Sequence, residues 1–290
     1  MKEVVHIVEC PRDAMQGWPV PIPTDVKVAY LNALLKVGFN TLDFGSFVSP
    51  AAVPQMADTQ QVLAQLEWQT SPTKLLAIVA NTRGAAEAAA SEGVACIGFP
   101  LSVSETFQQR NANSSIEGAY HRLSEISVMA DKNSKDLVVY LSMAFGNPYG
   151  DAYSEEDVLD HAIKCRAAGV RTISLADTVG LATPDQVGRL TDMLIQALPD
   201  VAIGVHLHAT PANSKEKIAA AFDAGCRRFD GAIHGIGGCP MAGDELVGNI
   251  DTVWLVQYFH DNGYLPDIDI NTFRDCIQMA GTVFADRSRT

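Results

Sequence analysis

Apolar and polar residues along this chain alternate between two kinds of stretch. Short runs rich in β-branched residues read as strands: VVHIVE (4–9), TLDFG (41–45), LLAIVA (75–80), ACIGFP (95–100), LVVYLSM (137–143), TISLAD (172–177), AIGVHLH (202–208) and RFDGAIH (228–234). Between them lie amphipathic stretches of helical length near 24–37, 54–67, 83–92, 114–132, 154–168, 184–198 and 212–225. Ser154 before Glu155 and Glu156, and Thr183 before Pro184 and Asp185, supply helix starts. Gly38, Gly93, Gly169 and Gly225 fall just past helices, where a left-handed cap is expected. Eight strands alternating with helices predict a (β/α)8 TIM barrel. A doubly wound sheet is the alternative, but no G-x-G-x-x-G follows the first strand. The pattern predicts one catalytic domain over 1–290, with the barrel over about 1–240 and additional C-terminal helices over about 241–290.

Composition narrows the function. With 47% hydrophobic and 19% charged residues, the chain can bury a large core. A formal charge of −13 speaks against non-specific nucleic-acid binding, though local Arg or Lys could still hold a small anion. The six cysteines are scattered without a C-x-x-C pair, which predicts reduced thiols. No signal-peptide pattern and no run of roughly 20 apolar residues is present. The expectation is therefore a cytoplasmic protein with neither a membrane nor a nucleic-acid partner.

A barrel carries its chemistry at the C-terminal ends of its strands. Arg12 and Asp13 follow the first strand, Asp43 closes the second, and Asn81 follows the third. Asp177 and Thr178 end the sixth, His206 and His208 the seventh, and Cys239 follows the eighth. His206 and His208 are two apart, so on a strand both imidazoles face one way and can chelate one ion. Asp13, His206, His208 and Asn249 make an oxygen and nitrogen set suited to Mg²⁺ or Mn²⁺; zinc is possible, but no thiolate cluster favours it. His6, His121, His161, His234 and His260 lack such company.

Arg12 reads either as an oxyanion stabiliser or as half of a surface ion pair with Asp13. Asp43 and Asp177 read as general bases or as residues that orient a ligand, with helix capping a competing role for Asp177. Cys239 ends a loop containing Gly235, Gly237 and Gly238, where a thiol can give a proton to a carbanion-like intermediate; a buried structural cysteine is the alternative. Packing accounts for Cys10, Cys96, Cys165, Cys226 and Cys276.

Several motifs together resemble 3-hydroxy-3-methylglutaryl-CoA lyase, of the DRE-TIM metallolyase superfamily. They are PRDAMQ (11–16), SFVSPAAVPQMADT (46–59), SVSETFQQRNANSSIE (102–117), SLADTVGLATP (174–184), HLHAT (206–210) and GIGGCP (235–240). The resemblance implies that Asp13, His206, His208 and Asn249 hold a divalent cation, that Arg12 stabilises an enolate, and that Cys239 transfers a proton. It puts Asp177 at an acidic position of the family's site and Asp43 where the family has glutamate. It implies an acyl-CoA thioester as partner, a homodimer, and cleavage of 3-hydroxy-3-methylglutaryl-CoA to acetyl-CoA and acetoacetate. The chain departs from the family at Gly17-Trp18-Pro19, which replaces N-E-K, at Ala209, which replaces the acid of H-x-H-D-T, and at Val253. Three other readings compete with it: the same lyase chemistry on another 3-hydroxy-3-carboxymethyl-acyl-CoA, a Claisen-type condensation of acyl-CoA with a 2-oxo acid, and a barrel used only for binding.

Overall fold

A computed structural model describes residues 4–238, 247–265 and 267–285. Its eight strands are β1 (His6–Glu9), β2 (Thr41–Ser46), β3 (Lys74–Ile78), β4 (Val94–Ser102), β5 (Asp136–Ser142), β6 (Thr172–Asp177), β7 (Ala202–Leu207) and β8 (Arg228–Gly231). They pair in sequence order as a closed parallel barrel, β8 returning to β1 through His6↔Arg228 and Glu9↔Gly231. The predicted (β/α)8 barrel is thus observed, and its strands overlap all eight predicted runs. Two further helices, Thr252–Asp261 and Ile270–Val283, follow the barrel.

Side-chain alternation along each strand divides the interior in two. Leu75, Ala77, Ile97, Val139 and Leu141 belong to the main core against the helices. Their neighbours Leu76, Cys96, Val138 and Tyr140 form a separate cluster on the opposite face, inside the barrel. The middle of the barrel is therefore filled with side chains, and its C-terminal end opens into the cavity described below.

The helical layer departs from the sequence pattern at identifiable places. The stretch near 54–67 is broken into a 3-10 turn at Pro54–Met56 and a short helix at Thr59–Leu63. The buried Lys27 ammonium takes the carbonyl of Gln55 and, at 2.7 Å, the carboxylate of Asp58. Thr59 Oγ1 donates to Met56 O at 2.8 Å and accepts from Ser46 N at 3.1 Å. These tertiary bonds compete with continuous helix formation. Helices at Pro11–Gln16 and Glu105–Ala112 were not signalled by the hydrophobic pattern. Gly38, Gly169 and Gly225 adopt positive φ as expected of caps, whereas Gly93 does not. Gly93 is small for another reason: a Cβ there would stand 2.7 Å from Trp68 Nε1.

Candidate active site

Each rim residue owes its place to how its strand ends. β1 runs straight into the helix Pro11–Gln16, whose first turn turns Arg12 and Asp13 inward; both are 7% exposed. β2 carries a bulge between Asp43 and Gly45, a device that re-aims a strand end. β7 presents His206 and, just beyond it, His208, with ring centroids 5.2 Å apart. The segment returning from residue 247 lies beside that end, where His208 bridges to Asn249 and Ala209 N donates to Gly248 O at 3.0 Å.

Donor atoms of Asp13, His206 and His208 all lie within 4.8 Å of one another. Asn249 joins them: its Nδ2 donates to Asp13 Oδ2 at 2.7 Å and to Ile236 O at 2.9 Å, while no hydrogen bond to a described residue engages its Oδ1. Gly237, at φ +116, closes this corner, since a Cβ there would sit 2.3 Å from Asn249 Nδ2 and 3.0 Å from Asp13 Oδ2. His206 Nδ1 meets Asp230 Oδ2 at 3.2 Å, and Asp230 Oδ1 accepts from Arg228 Nη1 at 2.7 Å. A carboxylate behind an imidazole fixes its tautomer and leaves Nε2 for a ligand. His208 Nδ1 is buried with no hydrogen-bond partner, a costly state that a bound cation would relieve.

The protonation states suit cation binding. Burial acts to raise Asp13, but Arg12, His206, His208 and Asn249 outweigh it and hold the carboxyl down at about 2. Burial, then the neighbouring His206, lowers His208 to about 4, which keeps its imidazole neutral. Burial pulls His206 down as well, yet Asp230 more than restores it, so its pKa is raised. The set is one carboxylate, two imidazoles and an adjoining amide oxygen, which fits a divalent ion with positions left for substrate.

Arg12 is held from three sides. Its Nε donates to both Asp43 oxygens at 3.1 and 3.0 Å, and Nη2 donates to Asp43 Oδ2 at 2.6 Å. Nη1 donates to Gln16 Oε1 at 2.7 Å and Asp13 Oδ1 at 3.2 Å, and Gln16 Nε2 returns a bond to Asp13 at 2.9 Å. Of a guanidinium's five N–H donors, one on Nη2 is left without a described protein acceptor. Arg12 also lines a cavity of about 200 Å³ together with Asp13, His206, His208, Phe107 and Tyr140. The surface-pair reading of Arg12 does not survive this burial.

The two aspartates read as candidate bases stand off that cavity wall. Asp43 is occupied by Arg12. Asp177 pairs with the ammonium of Lys217 at 2.8 Å and accepts from Ala182 N in the following loop at 3.3 and 3.2 Å; it does not cap the next helix, whose N-cap is Thr183. Cys239 lies outside the described residues. Five cysteines, Cys10, Cys96, Cys165, Cys226 and Cys276, are free and buried, as the packing reading expects. Asn81 caps a helix through Gly84 N rather than reaching the site.

Sequence reasoning missed Gln16 as a clamp, Asp230 behind His206, Lys217 under Asp177, and Glu9. Glu9 is fully buried outside the barrel wall; its Oε1 accepts from Ile233 N at 3.1 Å and fixes the chain leaving β8. Asp230 could have been sought, since it lies on a strand with the barrel's inward period. Nothing local marks Lys217 or Glu9.

Comparison with known proteins places this site in context. The family model described as HMGL-like matches residues 5–280. The chain is 32% identical over 272 residues to the rat protein named 3-hydroxy-3-methylglutaryl-CoA lyase, cytoplasmic, covering 93% of this chain and 78% of that protein. It is also 32% identical to (R)-citramalyl-CoA lyase of Chloroflexus aurantiacus, covering 93% and 87%. A solved HMG-CoA lyase from Acinetobacter baumannii, in complex with coenzyme A and 3-methylmalate, superposes with a TM-score of 0.89 at 28% identity, covering 97% of this chain and 91% of that one. Among the described residues, no helix is long and apolar enough to cross a membrane.

Proposed function

The chain belongs to the HMGL-like family, and from that premise we propose that it is a divalent-metal-dependent carbon–carbon lyase cleaving 3-hydroxy-3-methylglutaryl-CoA to acetyl-CoA and acetoacetate. The observation that carries the reading is Arg12: a buried guanidinium with a single spare N–H, on the cavity wall beside a preformed cation site. Asp13, His206, His208 and Asn249 would hold the ion, with Mg²⁺ or Mn²⁺ matched to this donor set. Bound there, a divalent cation lowers the pKa of the substrate's tertiary hydroxyl.

The remaining chemistry belongs to the protein. The C3 hydroxyl loses its proton, the C2–C3 bonding pair moves to C2, and C3 becomes the ketone of acetoacetate. Negative charge develops on the thioester oxygen, where the spare Nη2–H of Arg12 can donate. Asp43 holds that guanidinium in place and Gln16 ties it to Asp13. With Asp43 and Asp177 committed to cations, Asp13 is the one carboxylate among the described residues on the cavity wall, and we assign it to accept the hydroxyl proton. Protonation of C2 then releases acetyl-CoA. Cys239 is carried forward from the sequence as the donor, so Cys239→Ser should cut kcat while leaving metal affinity unchanged. A homodimer is carried forward on the same basis.

A metal-depleted preparation should release acetoacetate and acetyl-CoA only after Mg²⁺ or Mn²⁺ is restored. Activity that persists under chelation would overturn the metal reading. A second reading, the same cleavage on a related hydroxyacyl-CoA, is favoured by the equal likeness to citramalyl-CoA lyase and by Asp43, Gly17-Trp18-Pro19 and Ala209. A preference of roughly a hundredfold in kcat/KM for such a thioester would establish it instead.

A further inference from the structure

Lys217 sits in the helix Ser214–Asp223 with its side chain entirely buried, yet it lines no part of the cavity. Its ammonium makes three hydrogen bonds: to Asp177 Oδ2 at 2.8 Å, to His208 O at 3.1 Å and to Gly180 O at 3.3 Å. An ammonium has three donors, so all are used. The acceptors belong to separate pieces of the rim: the end of β6, the turn after it, and the end of β7. Those pieces contact the segment that carries Asn249. A Cβ on Gly180 would touch Val247 at 2.9 Å, and His208 bridges to Asn249. His208 N donates to Asp177 O at 3.3 Å, so the backbones of the two strand ends are joined as well.

We infer that Lys217 is a positioning residue for the metal site, gathering the strand ends that place His208 and Asn249 rather than merely neutralising Asp177. A buried ammonium is costly to desolvate, a penalty offset only when its geometry is well satisfied. Met in the same space would fill the volume but release both carbonyls. Asn or Gln at 177 would leave the ammonium's other two bonds in place. The two functions of Lys217, charge partner and carbonyl clamp, are therefore separable. Ala209, on the far side of His208, offers no carboxylate to share the task.

The inference rests on Asp13, His206, His208 and Asn249 being the metal ligands, so binding is measured directly, by Mn²⁺ titration of the metal-free protein followed by electron paramagnetic resonance. Wild-type protein should bind; failure to bind would overturn the metal reading, and this one with it. Lys217→Met should bind Mn²⁺ at least tenfold more weakly, the range in which residues behind metal ligands act. At saturating Mn²⁺, its kcat should return to within about threefold, because the side chain does not reach the cavity. The double variant Asp177→Asn/Lys217→Met removes both charges together; it should recover thermal stability relative to Lys217→Met and still bind weakly. Wild-type affinity in either variant would overturn the inference. If Lys217→Met fails to fold, the double variant decides.

Discussion

Two buried ion pairs flank the cavity, Arg12 with Asp43 and Lys217 with Asp177, and they spend their donors differently. Arg12 faces the cavity, and its bonds to Asp43, Asp13 and Gln16 leave one N–H directed at no described protein group. Lys217 lies behind the wall with every donor consumed by the fold. A planar guanidinium can be gripped along one edge and still offer another, whereas a compact ammonium surrounded by three acceptors has nothing left to offer. In the roles proposed above, the same pairing of cation and carboxylate therefore makes a reagent in one place and a brace in the other.

The most severe way to break this contrast is to remove the spare donor. Arg12→Gln should lower kcat roughly a thousandfold, the usual loss when a donor to a developing oxyanion is deleted. It should also destabilise the fold by about 3–5 kcal/mol, because Asp43 is left buried and unpaired. A kcat loss below tenfold would mean that Arg12 is a brace like Lys217. Asp43→Asn is milder: the guanidinium stays but loses its charged grip. Steady-state kinetics should give a 10- to 100-fold drop in kcat, while Mn²⁺ affinity moves by less than about threefold. Parallel losses of metal and rate would merge the two pairs into one network.

Glu9 provides a third buried charge site, one with no cation. Burial pushes its carboxyl up to about 8, against the pull of the bond from Ile233 N. A folded-state pKa above the unfolded value means that the native state binds the extra proton, so stability is fully present below about pH 4.5 and declines as pH rises toward 8. The decline should amount to several kcal/mol and appear as a falling Tm between pH 5 and 8. Glu9→Gln should flatten that profile while keeping the bond to Ile233. A profile identical to wild type would show that Glu9 is charged throughout. The smallest effect belongs to Lys74 and Asp136 at the opposite end of the barrel, a 2.7 Å pair whose side chains are 53% and 57% exposed. Lys74→Ala should change stability by about 0.5 kcal/mol or less, since water screens what the interior does not.

The sequence was most informative where one strand or one turn sufficed. The apolar runs located all eight strands, and the two-residue spacing placed His206 and His208 on one face. The helix Glu105–Ala112 escaped because ETFQQRNA buries only Phe107 and Gln108, too little for a hydrophobic stripe. Pro11–Gln16 escaped for the opposite reason: it is buried through its first five residues, so no polar face contrasts with an apolar one. Lys217 reads in SKEKIAAA as a surface charge, and only the fold decides that its helix turns it under β6 and β7. The strand ends mark Asp43 and Asp177 as candidate site residues, but their partners lie 31 and 40 positions away, and those partners determine what each carboxylate can do.

The five described cysteines have a practical consequence for protein chemistry. Burial holds every one of their thiols above its ordinary pKa, Cys96 at about 11 and Cys165, Cys226 and Cys276 at about 12. Only the thiolate attacks an alkylating reagent, so in the native protein near pH 7 these five are protected twice, by access and by protonation. The chain holds six cysteines, and the sixth is Cys239. Rapid incorporation of a single equivalent of iodoacetamide would therefore label one known position, without any of the other five having to be mutated first.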